Sequence, residues 1–375
     1  MLYLDTAATT PVDPRVADLV MEYMTHEFGN AGSRTHEWGT RAKRAVQGAR
    51  VSIAKAAGAA PEEVVFTSGA TESNNLALLG LAAHGEQTGR KHVLSSATEH
   101  KAVLEPLEHL MSRGFEVEFM SPGLSGRFQP AEILARVRPD TLLASFMLVN
   151  NETGVVQPVS EVARVLRATQ TFTHVDAAQG FAKPMGESLA DVDLISISGH
   201  KLGAPKGVGA LIARRRGWKR VPLQPLMFGG GQERKLRPGT IPVPLVVGLA
   251  RAIELLGADA VEWERGALRF RAALLSTLEG IPFQINGDPD HGAPHILNIW
   301  FQGIDSEALI VSLKEVAAVA TGSACTSSSY TPSHVLAAMG LPEERILQSV
   351  RLSWWSESDT TLLSPLRSVL ESLQP

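Results

Sequence analysis

The 375-residue chain contains a single cysteine, Cys325. One thiol cannot close an intramolecular disulfide, so nothing here calls for an oxidising compartment. Long apolar runs are also missing: none reaches the ~20 residues that a membrane-spanning helix requires. The start, Met1-Leu2-Tyr3-Leu4-Asp5, has neither the basic nor the apolar stretch of a secretory signal, and the chain reads as cytoplasmic. Neither sign of charge dominates: 35 Lys and Arg stand against 39 Asp and Glu, a formal net charge of −4. That balance gives no electrostatic ground for direct nucleic-acid or membrane binding. A small basic group, Arg34, Arg41, Lys43 and Arg44, reads as a solvated helix face. Phosphate-loop and dinucleotide glycine fingerprints are absent, which disfavours a nucleotide-binding module. No metal site is expected.

What is present fits a globular chain, with 44% hydrophobic and 20% charged residues. The length suits one large domain and one smaller domain, expected at residues 13–250 and at 1–12 with 251–375. Asp13-Pro14 is a cap and first-turn proline, and a second amphipathic helix is expected over 34–57. From Val64 onward, seven short β-branched runs alternate with helical stretches. The alternation predicts an α/β domain built on a mainly parallel seven-stranded sheet. The Gly/Pro-rich stretch 221–244 reads as a loop bridging the domains, and 251–279 as one long connecting helix. The tail reads as a small α+β unit.

Polar motifs follow the predicted strands, which places them on one rim of the sheet. Thr67-Ser68-Gly69-Ala70-Thr71 leads into a helix whose first N–H groups attract an anion. His100 follows the second strand and Asn151 the fourth. Asp176 ends a strand in His174-Val175-Asp176, with Gln179 just beyond. Lys201 closes Ser198-Gly199-His200-Lys201. Taken singly, these are a capped turn, a solvated aspartate and a surface lysine. Taken together, they supply an amine for a Schiff base, a carboxylate for a pyridinium nitrogen and donors for a phosphate. Pyridoxal 5'-phosphate (PLP) needs those groups from its protein.

With these motifs the chain resembles the cysteine desulfurases, class-V aminotransferase-fold enzymes of PLP fold type I. The likeness runs from Tyr3-Leu4-Asp5 to Ser349-Val350-Arg351-Leu352-Ser353. Its most specific pieces are Thr67 to Asn74, Glu99-His100-Lys101, Asn150-Asn151-Glu152, Ser198 to Lys201 and Gly322-Ser323-Ala324-Cys325. The resemblance implies that Ala70, Thr71, His100, Asn151, Asp176, Gln179, Ser198, Gly199 and His200 bind PLP, with Lys201 as the lysine joined to it. It implies that Thr240 reaches the phosphate of a partner subunit in a homodimer. It also implies that Arg351, with Asn30 and Asn151, holds the carboxylate of L-cysteine.

Cys325 lies among small and polar neighbours, as an accessible thiol would. The surrounding segment is similar to the family's long, flexible cysteine loop. On that likeness Cys325 takes sulfur from L-cysteine as a persulfide and passes it to an acceptor protein, and His100 is a base near enough to help. The acceptor serves iron–sulfur assembly, thiolation or, from the likeness of 227–240, DNA phosphorothioation. The rival readings are a selenocysteine lyase, another lyase or transaminase of the same fold, and a non-catalytic scaffold.

Overall fold

The computed structural model describes residues 1–322 and 332–374. Cys325 therefore lies outside the described residues. Seven strands make the central sheet: β1 (Val64–Thr67), β2 (His92–Ser96), β3 (Glu116–Met120), β4 (Thr141–Met147), β5 (Phe172–Asp176), β6 (Leu194–Ser198) and β7 (Gly209–Ala213). Their order is β1-β7-β6-β5-β4-β2-β3. Pairs from β3 through β6 are parallel, and β7 runs antiparallel to both neighbours. Every residue of β1, β2, β4 and β6 is buried, because helices cover both faces. The α/β class and the mainly parallel seven-stranded sheet are as expected.

Helices start where capping chemistry places them. Helix α1 (Pro14–Thr25) opens with the Asp13 side chain accepting the Arg15 N–H at 2.8 Å. Helix α2 (Glu37–Ala57) begins three residues later than the expected 34. Its cap is His36, whose Nδ1 accepts the Gly39 N–H. It stops at Gly58, at φ +59, a left-handed conformation suited to glycine. Helices α3 (Ala70–Leu79) and α4 (Lys101–Ser112) follow β1 and β2.

Two expectations are corrected. The connecting helix is two helices, α5 (Val243–Ala258) and α6 (Ala260–Thr277), broken at Asp259. The hydrophobic run was continuous enough to hide the break. The 221–244 stretch, expected as a loop, is partly anchored: Val221 and Leu223 pack into a core of the central sheet. Glu233 there forms a buried pair with Arg50, with contacts of 2.5 and 2.9 Å.

A second core surrounds a three-stranded antiparallel sheet of β8 (Phe283–Ile285), β9 (Ile296–Phe301) and β10 (Ser349–Ser353). Leu2 and Leu4 join this core, whereas Ala7 joins that of the central sheet. We propose the division 13–250 against 1–12 with 251–375, with α5 packing on α2 and on α1. No helix among the described residues is long and apolar enough to cross a membrane.

Candidate active site

The carboxyl ends of β1, β2, β4, β5 and β6 open into one cavity of about 580 Å³. That volume lies within the usual range of small-molecule sites. Ten residues singled out from the sequence line it: Ala70, Thr71, His100, Asn151, Asp176, Gln179, Ser198, His200, Lys201 and Arg351. Gly199, Asn30 and Thr240 do not. Gly199 is buried at the turn after β6, where a Cβ would lie 2.9 Å from the Val208 carbonyl oxygen. A side chain there would press on Val208 and Ala204. Asn30 is exposed and its Oδ1 accepts the Gly32 N–H at 2.8 Å. Thr240 is exposed on the 221–244 segment.

At one end of the cavity, Gly69 precedes α3 at φ +155, and its Cα lies 2.6 Å from where a Cβ on Gly209 would stand. Small residues therefore let β7 close against the turn and leave the first-turn N–H groups of α3 facing the cavity. No side chain caps this helix. Glu72, in that first turn, accepts the Ser68 N–H at 2.7 Å and pairs with Arg237 at 2.9 Å. The loop carrying Thr240 is thus tied to the same helix end.

Asp176 is held in one orientation. Its Oδ2 accepts from Asn74 Nδ2 at 2.7 Å and its Oδ1 from the Ala178 N–H at 2.9 Å. Asn74 is fully buried, and its position on the inner face of α3 is what brings it there. Gln179 Nε2 donates to the Ala7 carbonyl at 2.8 Å, and Gln179 Oε1 is buried with no hydrogen-bond partner among the described residues.

Lys201 ends the turn Gly199–Lys201 that follows β6. Burial, and then the nearby Lys201 charge, pushes the His200 pKa down to about 4. The same two causes lower His100. His100 caps α4 by accepting the Ala102 N–H at Nδ1, 3.0 Å away. A neutral ring that accepts at Nδ1 carries its proton at Nε2. Its Nδ1 lone pair is therefore engaged by the backbone, which leaves Nε2 as the ring nitrogen free of that bond.

Arg351 lies on β10 and is 2% exposed. Its guanidinium donates to the Asn151 carbonyl at 3.0 Å and pairs with Asp5 at 2.7 Å. Nε has no partner among the described residues. Nothing local in the sequence marks Asp5 for this part, and the same holds for Asn74. The N-terminal stretch completes the wall: Thr10 N–H donates to the His200 carbonyl at 2.8 Å, and Ala7 N–H to Ser353 Oγ at 2.9 Å.

Behind Gln179 sits a second buried amine. Lys183 Nζ donates to the Gln179 carbonyl at 3.0 Å and lies 3.1 Å from His295 Nε2. The Trp263 and Trp355 rings flank it at 5.5 and 5.6 Å. Burial, reinforced by the Lys201 charge, lowers its pKa from 10.5 to about 7. Between those values the unfolded chain holds a proton that the folded chain has released, so stability rises with pH across the window and falls as pH drops toward 7. Lys183→Met should raise stability near pH 7 by about 1–3 kcal/mol, the indole faces offsetting part of the burial cost. Its stability should also change less between pH 7 and 10. Urea denaturation at several pH values measures both, and an unchanged slope in the variant would refute the assignment.

The aminotransferase class-V family model matches residues 2–359. The cysteine desulfurase IscS of Escherichia coli O139:H28 (strain E24377A / ETEC) is 47% identical over 358 residues, which are 94% of this chain and 87% of that protein. The crystal structure of DndA from Streptomyces lividans is 59% identical, with a TM-score of 0.83, covering 94% of this chain and 99% of that one. A structure of SspA in complex with cysteine is 35% identical, with a TM-score of 0.84, covering 96% of this chain and all of that one. The rim-built cavity and these likenesses agree, and the chain belongs to the aminotransferase class-V family, among its cysteine desulfurases.

Proposed function

We propose that the protein is a PLP-dependent cysteine desulfurase that converts L-cysteine to L-alanine and leaves the sulfur as a persulfide on Cys325. The observation that carries this reading is the meeting of Lys201, Asp176 and Arg351 on one cavity wall beside an uncapped helix N-terminus.

The residues present fit PLP. The first turn of α3, with Thr71, Ser198 and His200, would hold the phosphate. Asp176, fixed by Asn74, would keep the ring nitrogen protonated, and Gln179, on the cavity lining, has a buried Oε1 with no partner among the described residues. His100 would lie against the ring as a donor. When bound, PLP supplies an aldehyde that condenses with amines and a cationic ring that withdraws electrons from the substrate's α-carbon. Arg351 orients the substrate by its carboxylate. Lys201 Nζ takes the Cα proton and later returns one. The Cys325 thiolate attacks the substrate sulfur; the C–S bond breaks, an S–S bond forms, and the carbon fragment leaves as L-alanine.

Asp176→Asn keeps an acceptor for Asn74 but loses the negative charge. It should lower kcat by about 100-fold, a typical loss for a preorganised electrostatic partner. A variant within a factor of three of wild type in steady-state alanine assays would remove Asp176 from this role.

We propose a homodimer in which Thr240 completes the partner's phosphate site. The exposure of Thr240 supports it, as do Phe228 at 88% and Trp218 at 84%. The persulfide would pass to a protein acceptor. The 59% identity to DndA and the 227–240 segment favour DNA phosphorothioation over iron–sulfur assembly or general thiolation. A cytoplasmic setting follows from the reading. The decisive experiment is incubation of the PLP-loaded protein with L-cysteine. Equal amounts of alanine and of persulfide on Cys325, read by mass spectrometry, are expected. Turnover of selenocysteine alone, without a persulfide on Cys325, would favour a selenocysteine lyase instead.

A further inference from the structure

Arg351, the residue proposed to hold the substrate carboxylate, is already paired. It is buried, its Nη2 donates to Asp5 Oδ1 at 2.7 Å, and its Nη1 donates to the Asn151 carbonyl at 3.0 Å. Glu152 also feels the Arg351 charge, but burial raises its pKa toward the neutral acid. Asp5 is therefore the ion-pair partner of this guanidinium among the described residues. Arg351 lines the cavity and Asp5 does not, so whatever Asp5 does to a ligand it does through Arg351.

Backbone pairing fixes Asp5 in that place. Asp5 forms a parallel bridge with Ser353, the Ser353 N–H donates to the Leu4 carbonyl at 2.9 Å, and the Thr6 N–H donates to the Ser353 carbonyl at 3.2 Å. Paired residues, and residues two apart along a strand, share a face, so the bridge to Ser353 sets Asp5 alongside Arg351. Leu4 and Ala7, on either side of Asp5, are buried in different cores. A buried guanidinium without a counter-charge would hold any carboxylate strongly, because water screens little there. One already offset by Asp5 presents its remaining donors with less net charge. Two carboxylates around one cation also repel each other. Both effects weaken the hold on substrate and product alike.

We propose that Asp5 is a positioning residue for the substrate carboxylate: through its ion pair it orients Arg351 and offsets part of its charge, so that amino acids are held in register but loosely enough to exchange. The inference rests on the reading of Arg351 as the carboxylate site. Affinity spent equally on substrate and product lowers KM without speeding the chemical step, and it slows release of L-alanine. An arginine that is aimed but partly neutralised keeps the orientation and avoids that retention.

The PLP-loaded protein would be titrated with two amines, each followed by the change in visible absorbance. L-Alanine carries the carboxylate but no sulfur to transfer. Ethylamine is the same skeleton without the carboxylate. Asp5→Asn keeps an oxygen for Arg351 and loses the charge. Its Kd for L-alanine should fall about tenfold, the effect of one nearby charge at a partly screened site. Its Kd for ethylamine should stay near the wild-type value. The KM for L-cysteine should fall too, by a larger factor than kcat changes. Asp5→Ala removes the acceptor as well, so its gain for L-alanine should be smaller but still measurable. Unchanged or weaker L-alanine binding in Asp5→Asn would overturn the proposal. So would an equal change for ethylamine, the mark of a general disturbance of the site. If Asp5→Asn does not fold, Asp5→Ala decides alone by the same ratio of the two constants. Arg351→Gln tests the underlying reading separately, since it should weaken L-alanine binding and spare ethylamine. Wild-type L-alanine binding in Arg351→Gln would place the carboxylate site elsewhere and remove the basis of the proposal.

Discussion

Lys201→Ala is expected to lower alanine formation by ~10³-fold or more and to abolish the lysine-linked visible absorbance of the PLP-loaded protein. Two functions are lost together, the covalent attachment and the proton transfer at Cα, and a positioned general base alone is worth ~10²–10⁴-fold. The fold should tolerate the change. Lys201 ends a short turn whose packing is set by Gly199 and Leu202, and its side chain lines the cavity. Lys201→Arg is the informative control. It keeps a cation near His100 and His200, whose pKa values Lys201 lowers, but a guanidinium does not form the imine. Both variants should be equally inactive. Steady-state alanine assays and absorbance spectra check the pair, and activity in Lys201→Arg within tenfold of wild type would exclude the covalent role.

Cys325→Ser should bring alanine release to background while leaving cofactor absorbance and the spectral response to L-cysteine intact. The hydroxyl is close in size but a far weaker nucleophile toward sulfur, and no second cysteine can substitute. The substitution exchanges a single sulfur for oxygen, so the rest of the site should be undisturbed. Rapid-mixing spectra with L-cysteine, followed by alanine quantitation, separate the two half-reactions. Alanine production above a few per cent of wild type would mean that sulfur leaves without this thiol. On the proposed mechanism the two variants divide the reaction, with Lys201 acting at carbon and Cys325 at sulfur.

Much of the site was legible because each piece is local. Gly69 and Ala70 follow a buried β-branched run and open a helix, and that arrangement puts an uncapped helix start on the rim. Asp176 and Lys201 each end or follow such a run, and parallel strands put their carboxyl ends on the same rim. The strand boundaries also came close, since complete burial of β1, β4 and β6 leaves an unbroken apolar signature. The break at Asp259 was not legible, because apolar spacing continues on both sides of it. Nor was the anchoring of 221–244, because the bond between Glu233 and Arg50 joins residues 183 positions apart.

The sequence by itself determined the α/β class, the rim on which the polar motifs gather and the residue types that face the cavity. These depend on hydrophobic periodicity and on helix and strand ends, which act over a few residues. Only the tertiary structure decided the pairings. Asp5 with Arg351, Asn74 with Asp176, Lys183 between two indoles, and Gly322 and Ser333 on Glu152 are all long-range. A hydrophobic pattern specifies which face of an element is buried. It does not specify which polar group from a distant element satisfies the charge or the lone pair buried with it, and that choice is made when distant elements pack against one another.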